Sequence, residues 1–346
     1  MEKVLEEKMT RYVGRLAPSP TGALHLGNVR TFMIAWLRAR SQGGKVIFRM
    51  EDLDHPKDKP GAAAQAVEDL RWLGFDWDEE YVQSERKAIY REALEALRAS
   101  GLAYPCVCSR RDVEAAQSAP HAGEQLYYPG TCRGRFKDWG EAKDFLANSR
   151  VSSDPRDSSV SRMPCWRFKV PDGARVSFDD AFAGPYEQDV SRTLGDFPLA
   201  RDEFGAGYTL ACTVDDLLMG ITEVVRGDDL LAATPAQILL ARALSKKFKH
   251  RDSETQREGG NAPCLRDSVL KYCHVPLVVG KDGKRLAKRH GDTRIAMYRE
   301  QGRNPEEVVG FLAASCGWAK KGERVSLADL LPRFDLGTIP KSPFMI

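Results

Sequence analysis

What this sequence lacks narrows the field first. Among its 346 residues no apolar run approaches the ~18 that a membrane-spanning helix needs. The opening stretch MEKVLEEKMTRY is charged throughout, unlike a secretory signal, so a cytoplasmic protein is expected, and a monomer is the working expectation. A strong excess of either charge is also missing: 52 Lys and Arg stand against 49 Asp and Glu, leaving +3. That permits a nucleic-acid partner without arguing for one. Nor is there a disulfide framework, because the 8 cysteines are unevenly spaced and Cys106 and Cys108 sit one residue apart, which suits one metal ion better. The length allows one large domain or two smaller ones around a sizeable core.

What is present is concentrated in a few stretches. The first is RLAPSPTGALHLGNVRT, Arg15 to Thr31. Residues 12–16 read as a short strand, Pro18 and Pro20 forbid its continuation, and His25 opens the apolar-periodic run of a helix. A strand feeding a loop feeding a helix start is a natural anion site, since first-turn amides lack helical partners and the dipole favours negative charge. KVIFRMEDLD then reads as a buried strand ending in Glu51, Asp52 and Asp54. Strand, helix and strand form a βαβ unit, so the fold class is α/β with a parallel sheet and its ligands lie at the C-terminal strand ends. Glu51 falls at that edge; alone it would be an ordinary solvated acid.

Two amphipathic helices ended by glycine follow, over 61–80 and 84–105, with Trp72 and Trp77 expected in the core. Cys106, Cys108 and Cys132 can bring three thiols together, and zinc wants four ligands in a tetrahedron. Tyr128 and His121 are the nearby candidates for the fourth, and general zinc chemistry favours the imidazole of His121. Residues 133–163 turn charged and Ser-rich and read as a flexible surface insertion, and 246–270 as a second polar loop. Between them WRFKV and RVSFDDAFAGPYEQDV alternate like the strands of hairpins.

The segment PSPTGALHLGN, the run RMEDLD, the run YTLACTVDD with GITEVVRGDDL, and GKRLAKRHG occur in an order that resembles the glutamyl-tRNA synthetase branch of the class I aminoacyl-tRNA synthetases. The resemblance implies a Rossmann-like catalytic domain in two halves, 1–105 and 196–290, an inserted zinc-knuckle and connective subdomain over 106–195, and a helical module over 291–346. It implies that His25, Gly27, Asn28, Arg285 and Lys288 bind ATP, with His25, Asn28 and Lys288 serving catalysis. It implies that Arg15, Ala17, Ser19, Glu51, Tyr208 and Arg226 hold L-glutamate, and that Mg2+ accompanies the nucleotide. The charges suit the substrate: glutamate brings two carboxylates and an ammonium, and two arginines and an acid answer them.

Three positions depart from the family pattern. Asn28 replaces the motif's last His, Cys212 stands where Asn is common, and Ala287 replaces a Ser. Cys212 is expected to alter the grip on the α-carboxylate.

The pattern Cys-x-Cys followed by Tyr-x-x-x-Cys resembles a subgroup of short paralogues, which points to Tyr128, with Cys106, Cys108 and Cys132, as the Zn2+ ligands. The large anticodon-binding region of glutamyl-tRNA synthetases has no counterpart in this sequence. The short paralogues form glutamyl-adenylate without tRNA and pass glutamate to the queuosine base of tRNA(Asp), which is the expected activity here. The rival expectations are a truncated enzyme charging the 3′ end of tRNA(Glu), a nucleotidylyltransferase acting on a small metabolite, and an inactive RNA-binding paralogue.

Overall fold

The structure is a computed structural model that describes residues 12–53, 59–115, 126–149, 162–257, 270–284, 286 and 293–346, with side chains in the long helix described up to residue 245. Strand β1 (Val13–Leu16) leads through the proline loop into helix α1 (Leu26–Arg40) and back through β2 (Lys45–Met50), paired parallel to β1. Helix α2 (Ala62–Trp72) carries the chain to β3 (Glu79–Val82), parallel to β2, and α3 (Lys87–Ala99) to β4 (Ala103–Cys106). Gly74 and Gly101, at positive φ of 90° and 69°, turn the chain after α2 and α3, a conformation a side chain would strain.

Beyond β4 come two helices, α4 (Arg110–Ala115) and α5 (Trp139–Asn148), then β5 (Cys165–Phe168) and the hairpin β6 (Arg175–Asp180) and β7 (Gly184–Asp189). Helix α6 (Val190–Thr193), β8 (Pro198–Ala200), α7 (Tyr208–Leu218) and β9 (Glu223–Gly227) follow. The chain continues through α8 (Thr234–Arg257), β10 (Lys271–Val275) and β11 (Val278–Val279). It ends in α9 (Ile295–Glu300), α10 (Pro305–Ala314), α11 (Leu327–Leu330) and β12 (Phe344–Met345).

Two parallel runs of strands meet at the site. β3, β2 and β1 form one, and β6, β10 and β9 the other, with β7 antiparallel on its edge. They are stitched by the Thr222 amide donating to Val13 O at 2.9 Å and the Val13 amide donating to the Thr222 hydroxyl at 2.9 Å. One hydrophobic core lies between α1 and the C-terminal helices, where Met33, Leu37, Leu312 and Trp318 are buried together. A second lies under α3, α7 and α8 around Tyr90, Trp166 and Leu210. β4, β5 and β8 form a separate antiparallel sheet beneath the cysteine cluster.

The C-terminal helices are tied to the first motif. Arg30, fully buried in α1, donates to the Ser315 hydroxyl and to Pro276 O, both at 2.8 Å, and the Leu26 amide donates to Thr293 O. Trp77 stacks on Phe48 at 4.6 Å and Trp72 packs against the same core, as expected of them.

Two readings need correction. The stretch 133–163 is not loop throughout: Asp138 caps α5, and Trp139 is buried against Trp166 with ring centroids 5.3 Å apart. One apolar anchor is enough to dock a short polar helix, and composition alone does not register it. Likewise α8 runs on to Arg257, so the first half of 246–270 is helical; 258–269 lie outside the described residues. Among the described residues no helix is long and apolar enough to cross a membrane.

Candidate active site

A cavity of about 540 Å³ opens at the C-terminal ends of β1, β2 and β9. Arg15, Ala17, Ser19, Glu51, Tyr208 and Arg226 line it, together with His25, Gly27 and Asn28. The structure thus brings together residues from four separated stretches of sequence. Arg285 and Lys288, with Ala287, lie outside the described residues, as does His121.

The helix start is built differently from the simple expectation. His25 is the N-cap of α1, and its Nδ1 accepts from the amides of Gly27 at 3.1 Å and Asn28 at 3.4 Å. Asn28 Oδ1 reciprocates by accepting the His25 amide at 3.3 Å, closing a capping box. First-turn amides assigned to phosphate are therefore already partnered. Accepting at Nδ1 fixes the neutral imidazole as the Nε2–H tautomer, and accepting at Oδ1 leaves the Asn28 NH2 as that side chain's donor. The donors that this helix start offers to the cavity are thus side-chain groups held by the cap.

Arg15 reaches from β1, donating from Nη1 to Val225 O at 2.9 Å. Its Nε stands 3.7 Å from Asp216 and has no hydrogen-bond partner. Glu51 accepts from Arg49 at 3.0 Å and from the Cys212 thiol at 3.1 Å. Arg49 is fully buried; burial opposes its charge, but Asp216 at 2.7 Å and Glu51 outweigh this and hold its pKa well above the ordinary value. Cys212 therefore bears on Glu51, and it is not among the residues lining the cavity.

Arg226, on β9, is 5% exposed, yet no described carboxylate pairs with it. Its contacts are neutral: His274 Nε2 at 3.0 Å, the Thr234 hydroxyl at 2.7 Å, and the hydroxyl of half-exposed Tyr208 at 3.5 Å. A buried guanidinium is costly without an anion, and none of the described residues supplies one. Arg15, Arg226, Glu51 and Asp229 are the charged residues of the cavity wall, and Arg49 pairs with Asp216 and Glu51 behind it.

Sequence reasoning did not find His274, Asp180, Thr234 or Arg49. Arg49 opens the run RMEDLD but was given no role there, and His274, Asp180 and Thr234 lie in no such motif; the pairing of distant strands assembles them. Leu230, Leu277 and Val278 give the cavity wall an apolar flank, with Gly227 and the Asp229 carboxylate beside them.

The second cluster lies at the end of β4. The sulfur atoms of Cys106, Cys108 and Cys132 are all within 4.8 Å of one another, with Cys108 and Cys132 3.6 Å apart. Tyr128 places its hydroxyl 3.2 Å from Cys106 Sγ and 3.6 Å from Cys108 Sγ. Zinc–thiolate bonds of ~2.3 Å in a tetrahedron require sulfurs about 3.8 Å apart, so the donor set already has the needed spacing. Hydrogen bonds from the thiols of Cys108 and Cys132 draw the Cys106 thiol below its usual range. Arg167, which sequence reasoning passed over, donates to Cys106 Sγ at 3.2 Å and lies 3.8 Å over the Tyr128 ring, countering negative charge there.

A parallel α/β sheet with a charged cavity at its strand ends, beside a capped helix start, is the arrangement of the catalytic core of a class I aminoacyl-tRNA synthetase, a ligase. Residues 11–262 match the family described as tRNA synthetases class I (E and Q), catalytic domain, and the chain belongs to it. It is 43% identical to the glutamyl-Q tRNA(Asp) synthetase of Symbiobacterium thermophilum, over 96% of this chain and 95% of that one. It is 40% identical to the protein of the same name from Rhodopirellula baltica, over 98% and 97%. The glutamate tRNA ligase of Elizabethkingia meningosepticum, solved in complex with its amino acid, superposes with a TM-score of 0.71 at 27% identity, covering 97% of this chain and 67% of that one.

Proposed function

We propose that this protein activates L-glutamate with ATP, without tRNA, and then transfers it to the queuosine base in the anticodon loop of tRNA(Asp). The observation that carries the first step is the single cavity shared by Arg15, Glu51, Tyr208, Arg226 and the His25–Asn28 cap. Glutamate brings two carboxylates and an ammonium, and the two arginines and the acid of that cavity answer them. Arg226 takes one carboxylate and Arg15 the other, while Glu51 receives the ammonium. The Tyr208 hydroxyl, beside Arg226, tests for a charged side chain at that distance.

ATP lies along the helix start, with its base toward Leu230, Leu277 and Val278 and its phosphates toward the His25 ring and the Asn28 amide. Lys288 and Arg285 complete the phosphate grip. An oxygen of the α-carboxylate attacks the α-phosphorus in line, the bond to the bridging oxygen breaks, and pyrophosphate leaves. Such chemistry rests on positioning and on neutralising the charge that spreads over the phosphate oxygens. Mg2+ bound with the nucleotide supplies further charge neutralisation.

The second step rests on the relatives named glutamyl-Q tRNA(Asp) synthetase, which match nearly end to end. The test is to incubate the protein with labelled glutamate and ATP, together with tRNA(Asp) bearing or lacking queuosine or with tRNA(Glu). Label is expected on the queuosine-bearing tRNA alone and is expected to survive removal of the 3′-terminal nucleotides. Label confined to the 3′ end of tRNA(Glu) overturns the assignment in favour of a glutamate–tRNA ligase. Pyrophosphate exchange that needs no glutamate overturns the amino-acid pocket as well.

The Cys106, Cys108, Cys132 and Tyr128 corner fits a Zn2+ ion, which as a closed four-ligand site serves structure. Purified protein is expected to carry about one zinc per chain. Cys132→Ser is expected to lose it and to lower the thermal midpoint, and Tyr128→Phe to weaken retention against a chelator. Metal analysis and chelator-release kinetics check both.

A further inference from the structure

Arg226 is aimed by a buried relay that begins outside the cavity. β9 and β10 run parallel with His274 directly opposite Arg226, which puts both side chains on one face of the sheet. His274 is 1% exposed, and Asp180, at the end of β6 on the other side of β10, is 4% exposed. Asp180 Oδ2 lies 2.6 Å from His274 Nδ1, and Oδ1 accepts the amides of Phe182, Ala183 and His274. Burial works against the Asp180 charge, but the bond from His274 and those amides hold its pKa at about 2. Burial, meanwhile, pushes the imidazole below the usual histidine range. Asp180 is therefore a carboxylate and His274 a neutral ring with its hydrogen on Nδ1. Only that tautomer leaves a lone pair on Nε2, where the Arg226 Nε–H arrives at 3.0 Å.

We propose that Asp180 and His274 are positioning residues for glutamate recognition: the carboxylate fixes the imidazole tautomer, and the imidazole fixes the guanidinium that receives the substrate's carboxylate. The inference rests on the glutamate-binding role given to Arg226 above. Thr234 stands beside the ring, its hydroxyl 3.0 Å from His274 Nε2, and accepts from Arg226 Nη2 at 2.7 Å. With Nε and Nη2 engaged by neutral acceptors, Nη1 is left toward the cavity-lining Tyr208 hydroxyl and the full charge is kept for the ligand. A carboxylate in place of His274 would have paired with Arg226 and competed with glutamate. The neutral ring orients without competing, and Asp180, kept one residue back, never meets the guanidinium. Because Asp180 sits where β6 turns toward β7, the hairpin outside the catalytic strands also sets the pocket's geometry.

Substitution separates the roles. In Asp180→Asn, the side-chain oxygen satisfies the three amides, so the NH2 faces His274 Nδ1 and forces the hydrogen onto Nε2, against the Arg226 Nε–H. The KM for glutamate in ATP–pyrophosphate exchange is expected to rise about tenfold or more, the scale of one lost charge-assisted hydrogen bond, with kcat and the KM for ATP changed by less than about threefold. His274→Ala is expected to behave alike. His274→Gln, whose carbonyl can reach the place of Nε2, is expected to recover most of the loss, a rescue that a general packing role would not give. Imidazole 15N shifts report the tautomer directly and are expected to move the hydrogen from Nδ1 to Nε2 in Asp180→Asn.

Unchanged glutamate KM in both Asp180→Asn and His274→Ala, while Arg226→Ala loses glutamate binding, overturns the relay alone. Unchanged glutamate KM in Arg226→Ala overturns the substrate assignment beneath it. A variant too unstable to assay passes the decision to His274→Gln and to the tautomer of the wild-type ring, and an Nε2–H ring there sinks the proposal.

Discussion

Arg226→Ala is expected to lower kcat/KM for glutamate in pyrophosphate exchange by on the order of 10²–10³-fold, the cost of leaving a buried substrate carboxylate without its cation. The KM for ATP is expected to change little, because Arg226 lies on β9 and the helix start on α1. Stability should follow a different course. Removing a buried guanidinium that has neutral hydrogen bonds and no described carboxylate relieves desolvation and breaks no ion pair. The thermal midpoint is therefore expected to stay within a few degrees of wild type or to rise, the signature of a residue kept for function at the expense of the fold. Arg226→Lys keeps the charge yet loses the fork that meets His274 and Thr234 together, so most of the activity loss is expected to remain. Exchange kinetics at varied glutamate and a melting curve check all of this; a midpoint that falls steeply with activity would mark Arg226 as structural.

His25 serves two tasks, and two substitutions divide them. His25→Ala removes both the cap and the ring, and about 1 kcal/mol of stability is expected to go with the cap. His25→Asn keeps a good N-cap oxygen while removing the ring, so the midpoint is expected to match wild type. Its kcat for exchange is nevertheless expected to fall by about 10²-fold, the range for losing one preorganised donor to a developing charge, with the KM for glutamate little altered. Full exchange activity in His25→Asn would reduce the imidazole to a cap and leave the phosphate chain to Asn28, Arg285 and Lys288.

The sequence by itself determined more of the site than of its surroundings. The βαβ unit and a helix start at His25 were legible because each is local, read from strand periodicity and proline placement, whereas Arg15, Glu51, Tyr208 and Arg226 were reached through the family resemblance, and the structure lines one cavity with them. The three thiols of Cys106, Cys108 and Cys132 were legible from the sequence itself, whereas Tyr128 came from the family pattern, against a general zinc chemistry that favoured His121. The tertiary structure alone decided what those side chains touch. It turned Cys212 onto Glu51, spent the first-turn amides of α1 on His25, folded 139–148 into a helix around one tryptophan, and set His274 between Asp180 and Arg226. Side-chain partners are fixed by the register of strands far apart in the chain, and that register is an outcome of packing the whole core, which no short stretch encodes.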